Sequence, residues 1–180
     1  MKILCFGDSN TFGYDPRSSF GSRYPSDVRW TEQLKGHTVI NCGVNGMMVP
    51  HDHAVTLEMI RRYGPDMVIV MIGSNDVLEG ADAAKTAARM EAYIAAIKET
   101  CNKVLLIAPP TLKIGEWVQK EEKIEESRRL AIMYKELAAR EGCMFVDAGD
   151  WNIDMTYDGV HFSPEGHAEF ARKLSELISA

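Results

Sequence analysis

Met1-Lys2-Ile3-Leu4-Cys5-Phe6-Gly7-Asp8-Ser9-Asn10 opens the chain. Residues 3–6 are an uninterrupted apolar run of strand length, and Gly-Asp-Ser closes it with turn formers. Such a run, without alternation, suits a strand covered on both faces, the condition of a parallel sheet. Open parallel sheets bind ligands beyond the carboxyl ends of their strands, which puts Ser9 on a ligand-binding edge. A helix starting there would add unpaired N–H groups that stabilise negative charge. A lone Gly-Asp-Ser also fits a plain turn serine, because chance supplies one in roughly one chain in twenty of this length. The rest of the chain decides between the two readings.

Four more apolar runs read as strands: residues 38–42, 67–72, 104–108 and 144–146. Between them lie segments of helical period. Met90, Ile94 and Ile97 share one face of 86–98, and Leu130, Met133, Tyr134 and Leu137 share a face of 127–140. Phe170, Leu174 and Leu177 do the same near the end, behind Ser163 as N-cap and Pro164 at N1. A further helix starts near His51, with Asp52 as its N-cap, and stops at Gly64-Pro65. Strands alternating with helices predict one domain over 1–180. Its expected form is a three-layer α/β/α, flavodoxin-like sandwich around a five-stranded parallel sheet. Two long connections, 14–30 and 111–126, follow strand carboxyl ends and are expected to overhang the edge that carries Ser9.

Composition narrows the function. The 180 residues are 46% hydrophobic and 26% charged with a net charge of −6, an ordinary soluble domain whose acidity argues against nucleic-acid partners. No apolar stretch reaches the length of a membrane span, and no signal peptide is visible, so a cytoplasmic protein is expected. Cys5, Cys42, Cys101 and Cys143 match no metal-ligand spacing and read as reduced structural thiols. His51-Asp52-His53 reads as a helix start rather than a metal site, and no metal or organic cofactor is expected.

Three later blocks repeat the placement of Ser9: Asn41-Cys42-Gly43-Val44-Asn45-Gly46, Gly73-Ser74-Asn75-Asp76 and Asp158-Gly159-Val160-His161. Parallel strands end on one edge, so these blocks converge. Ser9 is then a candidate nucleophile and His161 its general base. Asp158, three residues earlier, can accept the other ring N–H and fix the tautomer, ahead of Asp147, Asp150 and Asp154. The backbone N–H groups of Ser9 and Gly43 and the side-chain amide of Asn75 are candidate donors to an oxyanion. Asp76 is expected to cap the next segment or orient a neighbouring loop. His167, within the last helix, is a rival base better read as a surface or packing residue. Asp8 is expected beneath the site, and Asp8, Asn10 and Trp117 are candidate substrate contacts. Trp30 and Trp151 read as core aromatics, and the charge run near Lys120 as a solvated face.

These blocks, in this order, resemble those of the SGNH hydrolases, the GDSL-type esterase superfamily. The resemblance covers nearly the whole chain and maps that family's serine, glycine, asparagine and histidine onto Ser9, Gly43, Asn75 and His161. The aspartate of its D-x-x-H block maps onto Asp158. Asn10 departs from the commoner leucine, which is expected to alter packing beside the nucleophile. Residues 4–14 with Val28-Arg29-Trp30-Thr31 are similar to the arylesterase and acyltransferase branch, whose members act on small acyl groups and are often oligomers. The resemblance implies a serine esterase for short-chain esters of aryl or carbohydrate alcohols, with acyl transfer to alcohols as a side reaction and a homo-oligomer as a possible assembly. Alternatives are a lysophospholipase or thioesterase acting on longer chains, or a binding module that keeps the fold without turnover. A nucleotide-binding flavodoxin-like domain fits poorly, since residues 7–13 hold no Walker lysine and no G-x-G-x-x-G.

Overall fold

A computed structural model describes residues 1–18 and 21–179; Ser19 and Phe20, inside the 14–30 connection, and Ala180 lie outside it. The elements in chain order are β1 (Lys2–Gly7), α1 (Ser9–Phe12), α2 (Trp30–Gln33), β2 (Thr38–Gly43), α3 (Ala54–Tyr63), β3 (Met67–Met71) and α4 (Ser74–Leu78). They continue with α5 (Ala83–Lys98), β4 (Val104–Ala108), α6 (Glu121–Glu141), β5 (Met144–Asp147), a 3₁₀ turn (Ala148–Trp151) and α7 (Pro164–Ser179). All five strands pair in parallel in the order β2-β1-β3-β4-β5, which is the expected class.

Alternate residues of each strand feed two cores. Leu4, Phe6, Val68, Val70 and Leu106 face α3, α5 and α6, where Met90, Ile94, Leu130 and Tyr134 pack. Ile3, Cys5, Ile69, Met71 and Ile107 face α2 and α7, where Trp30, Phe170 and Leu174 pack. Both faces of β3 and β4 are therefore buried, which explains why their runs are apolar at every position. The direction of strand addition reverses between β1 and β3. At such a reversal the connections leave toward opposite faces and open a crevice at the carboxyl edge.

Some boundaries differ from the sequence reading. The helix expected from residue 127 begins at Glu121, so the 111–126 connection is shorter than expected. Glu121 and Glu122 complement the positive end of the helix dipole there. Lys123 is not simply solvated: its Nζ donates to the carbonyls of Val77 at 2.6 Å and Leu78 at 3.0 Å, covering the carboxyl end of α4. The N-cap of α3 is His53 rather than Asp52, whose Oδ1 instead accepts from Ala54 N at 2.9 Å in the turn before the helix. Gly64 closes α3 in the left-handed conformation, as expected of a Gly-Pro stop. Ser163 Oγ accepts from Gly166 N at 3.0 Å, so α7 starts where its cap was expected.

Candidate active site

Asp8 caps α1, its Oδ1 accepting from Asn10 N at 3.0 Å, and the short helix presents Ser9 at the end of β1. On the far side of the crevice, Asp158 organises its own loop. Its Oδ1 accepts from the amides of Val160 at 2.8 Å and His161 at 2.9 Å, and its Oδ2 lies 2.7 Å from His161 Nδ1. His161 Nε2 lies 2.9 Å from Ser9 Oγ. Burial raises the Asp158 carboxyl pKa, but the bonds from the His161 ring and the two amides, with the imidazole charge, outweigh it and hold the pKa below the ordinary value. An ionised Asp158 can only accept, so Nδ1 carries the proton and Nε2 is left to accept from the Ser9 hydroxyl. Ser9 is 5% exposed, His161 2% and Asp158 0%, so the array is screened from bulk water.

The two outer loops hold this array in place. Lys113 N donates to Gly159 O at 3.0 Å, Glu116 N to Tyr157 O at 3.1 Å and Trp117 N to Asp158 O at 3.1 Å. This contact needs glycine, since a Cβ on Gly115 would lie 2.4 Å from the Asp158 carbonyl carbon. The loop thus packs on the chain's own 157–159 segment and sets Trp117, half exposed, with its ring centroid 4.9 Å from that of His161. Tyr14 approaches the same ring at 4.7 Å. Ser9, Tyr14, Asn45, Gly46, Asn75, Trp117 and His161 line a cavity of about 250 Å³. A larger cavity of about 470 Å³, between the ends of β4 and β5, has no serine, cysteine or histidine in its lining.

The donor expected at Gly43 requires correction. Its N–H is committed to Asn41 Oδ1 at 2.9 Å, and Gly43 does not line the cavity. Glycine is needed there for another close approach: a Cβ would stand 2.2 Å from Phe12 N, within the backbone of α1. Gly46 was missed. It lies in the turn closed by Met47 N donating to Val44 O at 3.1 Å, at φ +72°, and its N–H has no partner among the described residues. That positive φ beside a non-glycine residue is the one signal that marks it: Asn45-Gly46 is type II turn chemistry. Asn75 Nδ2 donates to Met47 O at 3.0 Å, tying α4 to this turn. Asp76 accepts from Val49 N at 3.1 Å and pairs with Arg89, so it orients the neighbouring loop.

Asp8 and Asn10, candidate substrate contacts, are buried behind the cavity and do not line it. Burial with one oxygen unpartnered pushes the Asp8 carboxyl pKa up to about 6, against the hydrogen bond from Asn10 N. Asn10 spends its side chain on the His161 loop, donating to Val160 O and accepting from Phe162 N, both at 2.9 Å. His167 is a buried packing residue rather than a surface one. Its ring lies between Tyr24 and Phe162, and desolvation, with the Arg29 charge, lowers its pKa to about 3. Trp30 is core, while Trp151 is half-buried against Phe170. No cluster of three or more His, Cys, Asp or Glu side chains that could hold a metal occurs among the described residues. No helix among them is long and apolar enough to cross a membrane.

An array of hydroxyl, imidazole and carboxylate beside unpaired N–H donors can perform acyl transfer. The comparisons agree with that chemistry. The model of the GDSL-like lipase/acylhydrolase family matches residues 5–169. No curated protein matches the chain by sequence. The native aryl esterase of M. smegmatis superposes with a TM-score of 0.87 at 26% identity, over 99% of this chain and 98% of that one. Est24, a carbohydrate acetylesterase from Sinorhizobium meliloti, superposes at 0.84 with 26% identity over the same shares, 99% and 98%. A candidate arylesterase from Agrobacterium tumefaciens str. C58 superposes at 0.86 with 28% identity, again over 99% and 98%. The chain belongs to the GDSL-like lipase/acylhydrolase family and is a carboxylic ester hydrolase of the SGNH fold.

Proposed function

We propose that the chain hydrolyses short-chain, acetyl-type esters of aryl or carbohydrate alcohols through an acyl-enzyme on Ser9. The observation that carries this reading is the continuous hydrogen-bonded path from Asp158 through His161 to Ser9 Oγ, ending at a cavity of about 250 Å³. That volume lies below the roughly 300–1,000 Å³ of sites for drug-sized ligands, which favours a small acyl group. Similarity to an aryl esterase and a carbohydrate acetylesterase supports the same range of alcohols.

In this mechanism Ser9 Oγ gives its proton to His161 Nε2 as it attacks the ester carbonyl. The oxyanion accepts hydrogen bonds from Ser9 N–H, Gly46 N–H and the second amide hydrogen of Asn75, with Gly46 taking the place expected of Gly43. His161 Nε2–H then protonates the departing alcohol oxygen. Water, or an alcohol in its place, gives its proton to His161 and releases the acyl group. Tyr14 and the half-exposed Trp117 flank the exit, offering ring faces to a flat alcohol.

Hydrolysis of p-nitrophenyl esters from acetate to palmitate tests the substrate range. The reading predicts kcat/KM greatest at acetate or butyrate and falling steadily beyond. A maximum at long chains would move the substrate to lysophospholipids or thioesters. Absence of turnover on every p-nitrophenyl ester and on acetylated sugars would favour a binding module.

A further inference from the structure

The side chain of Asn10 joins two parts of the chain 150 residues apart. Its Nδ2 donates to Val160 O and its Oδ1 accepts from Phe162 N, each at 2.9 Å. One amide therefore engages the main chain on both sides of His161, as a paired strand would. Asn10 directly follows Ser9, and its own main chain is fixed twice. Asn10 N donates to Asp8 Oδ1 at 3.0 Å, and Trp30 Nε1 donates to Asn10 O at 3.0 Å. Asn10, Val160 and Phe162 are all buried, so neither bond is shared with bulk water. The loop bonds from Asp158 shape the turn around His161 but fix nothing relative to Ser9. Beside the Ser9–His161 contact, Asn10 ties the backbone next to Ser9 directly to the backbone on both sides of His161.

We propose that Asn10 is a positioning residue that sets the distance between Ser9 Oγ and His161 Nε2. The inference rests on the reading of Ser9 and His161 as nucleophile and base. Proton transfer over a hydrogen bond of 2.9 Å is sensitive to displacement, and a shift of about 1 Å can cost about a hundredfold in rate. Loss of the clamp therefore lowers kcat while leaving the cavity and its KM largely in place. Leu cannot make either bond, and Asp, which fills the same space as Asn, turns the donor facing Val160 O into an acceptor.

The test compares Asn10→Leu, Asn10→Asp and Ile97→Val on p-nitrophenyl acetate, each well below its own Tm. Ile97 is fully buried on α5 and touches neither the clamp nor the cavity, so Ile97→Val controls for general destabilisation. Both Asn10 variants are expected to lose about 10- to 100-fold in kcat with KM changed less than about threefold. Ile97→Val is expected to keep kcat within about threefold even where its Tm falls as far. Native kcat in a folded Asn10→Asp, or kcat losses that track Tm equally in all three variants, would overturn the proposal. Ser9→Ala, run alongside, separates the two layers: turnover at the native rate there would overturn the underlying reading, whereas an inactive Ser9→Ala beside a fully active Asn10→Asp overturns only the clamp.

Discussion

Asn75 donates one amide hydrogen to Met47 O at 3.0 Å, and the other has no partner among the described residues. The residue lines the cavity beside Ser9 and Gly46. In the proposed mechanism alanine there removes one oxyanion donor, so kcat is expected to fall about 10²–10³-fold while KM for p-nitrophenyl acetate moves little. A kcat within about threefold of native would make Asn75 a tether of the Gly46 turn and nothing more. Ser9, Asn75, Asp158 and His161 are visible in the sequence because each lies in a short block after a strand or before the last helix, and the topology delivers those ends to one edge. Gly46 was not visible. The Asn41–Gly46 block holds two glycines, and only the fold shows that Asn41 Oδ1 occupies the N–H of Gly43. Asn10 was misread for a similar reason, since its partners are 150 residues or more away.

Among the elements, the strands were the most legible. Their apolar runs are unbroken because helices cover both faces. The short helices α1, α2 and α4 were not, for they have only four, four and five residues and show no period. The start of α6 was missed because Ile124 is the one apolar residue among Glu121–Ser127, and helical period becomes readable only where Leu130, Tyr134 and Leu137 reach the core. α7 was legible at both cap and face. Its Ser163 Oγ accepts from the buried Gly166 N at 3.0 Å. Ser163→Ala should cost about 1 kcal/mol, lowering Tm by about 2–4 °C in a chain of this size. Calorimetry that finds Tm unchanged would mean the Pro164 start holds α7 without the cap.

At the scale of the molecule, the sheet order places the ends of β1 and β3 on either side of the crevice, and with them Ser9 and Asn75. Beneath that crevice lies Asp8, 1% exposed, with Oδ2 unpartnered. Desolvation raises its pKa from 3.8 to about 6 in the fold. The folded state therefore binds this proton more tightly than the unfolded chain does. The stability it contributes is whole at low pH, declines as pH rises from about 4 to about 6, and is gone above that. Asp8→Asn keeps an acceptor for Asn10 N and cannot ionise. Its Tm relative to the native chain should climb between pH 4 and pH 6.5 and then level off. A Tm difference that stays constant across that range would mean Asp8 titrates at its ordinary value in the fold.

Acylation of Ser9 during turnover is tested by labelling with an alkyl phosphonofluoridate. Attack by Ser9 Oγ forms a P–O bond and expels fluoride, leaving a stable adduct that peptide mass spectrometry can locate. One phosphonyl group per chain is expected, on the peptide carrying Ser9, with residual esterase activity falling in step with its occupancy and no label on Ser9→Ala. Full activity in a chain labelled at Ser9, or loss of activity through a label on another residue, would contradict it.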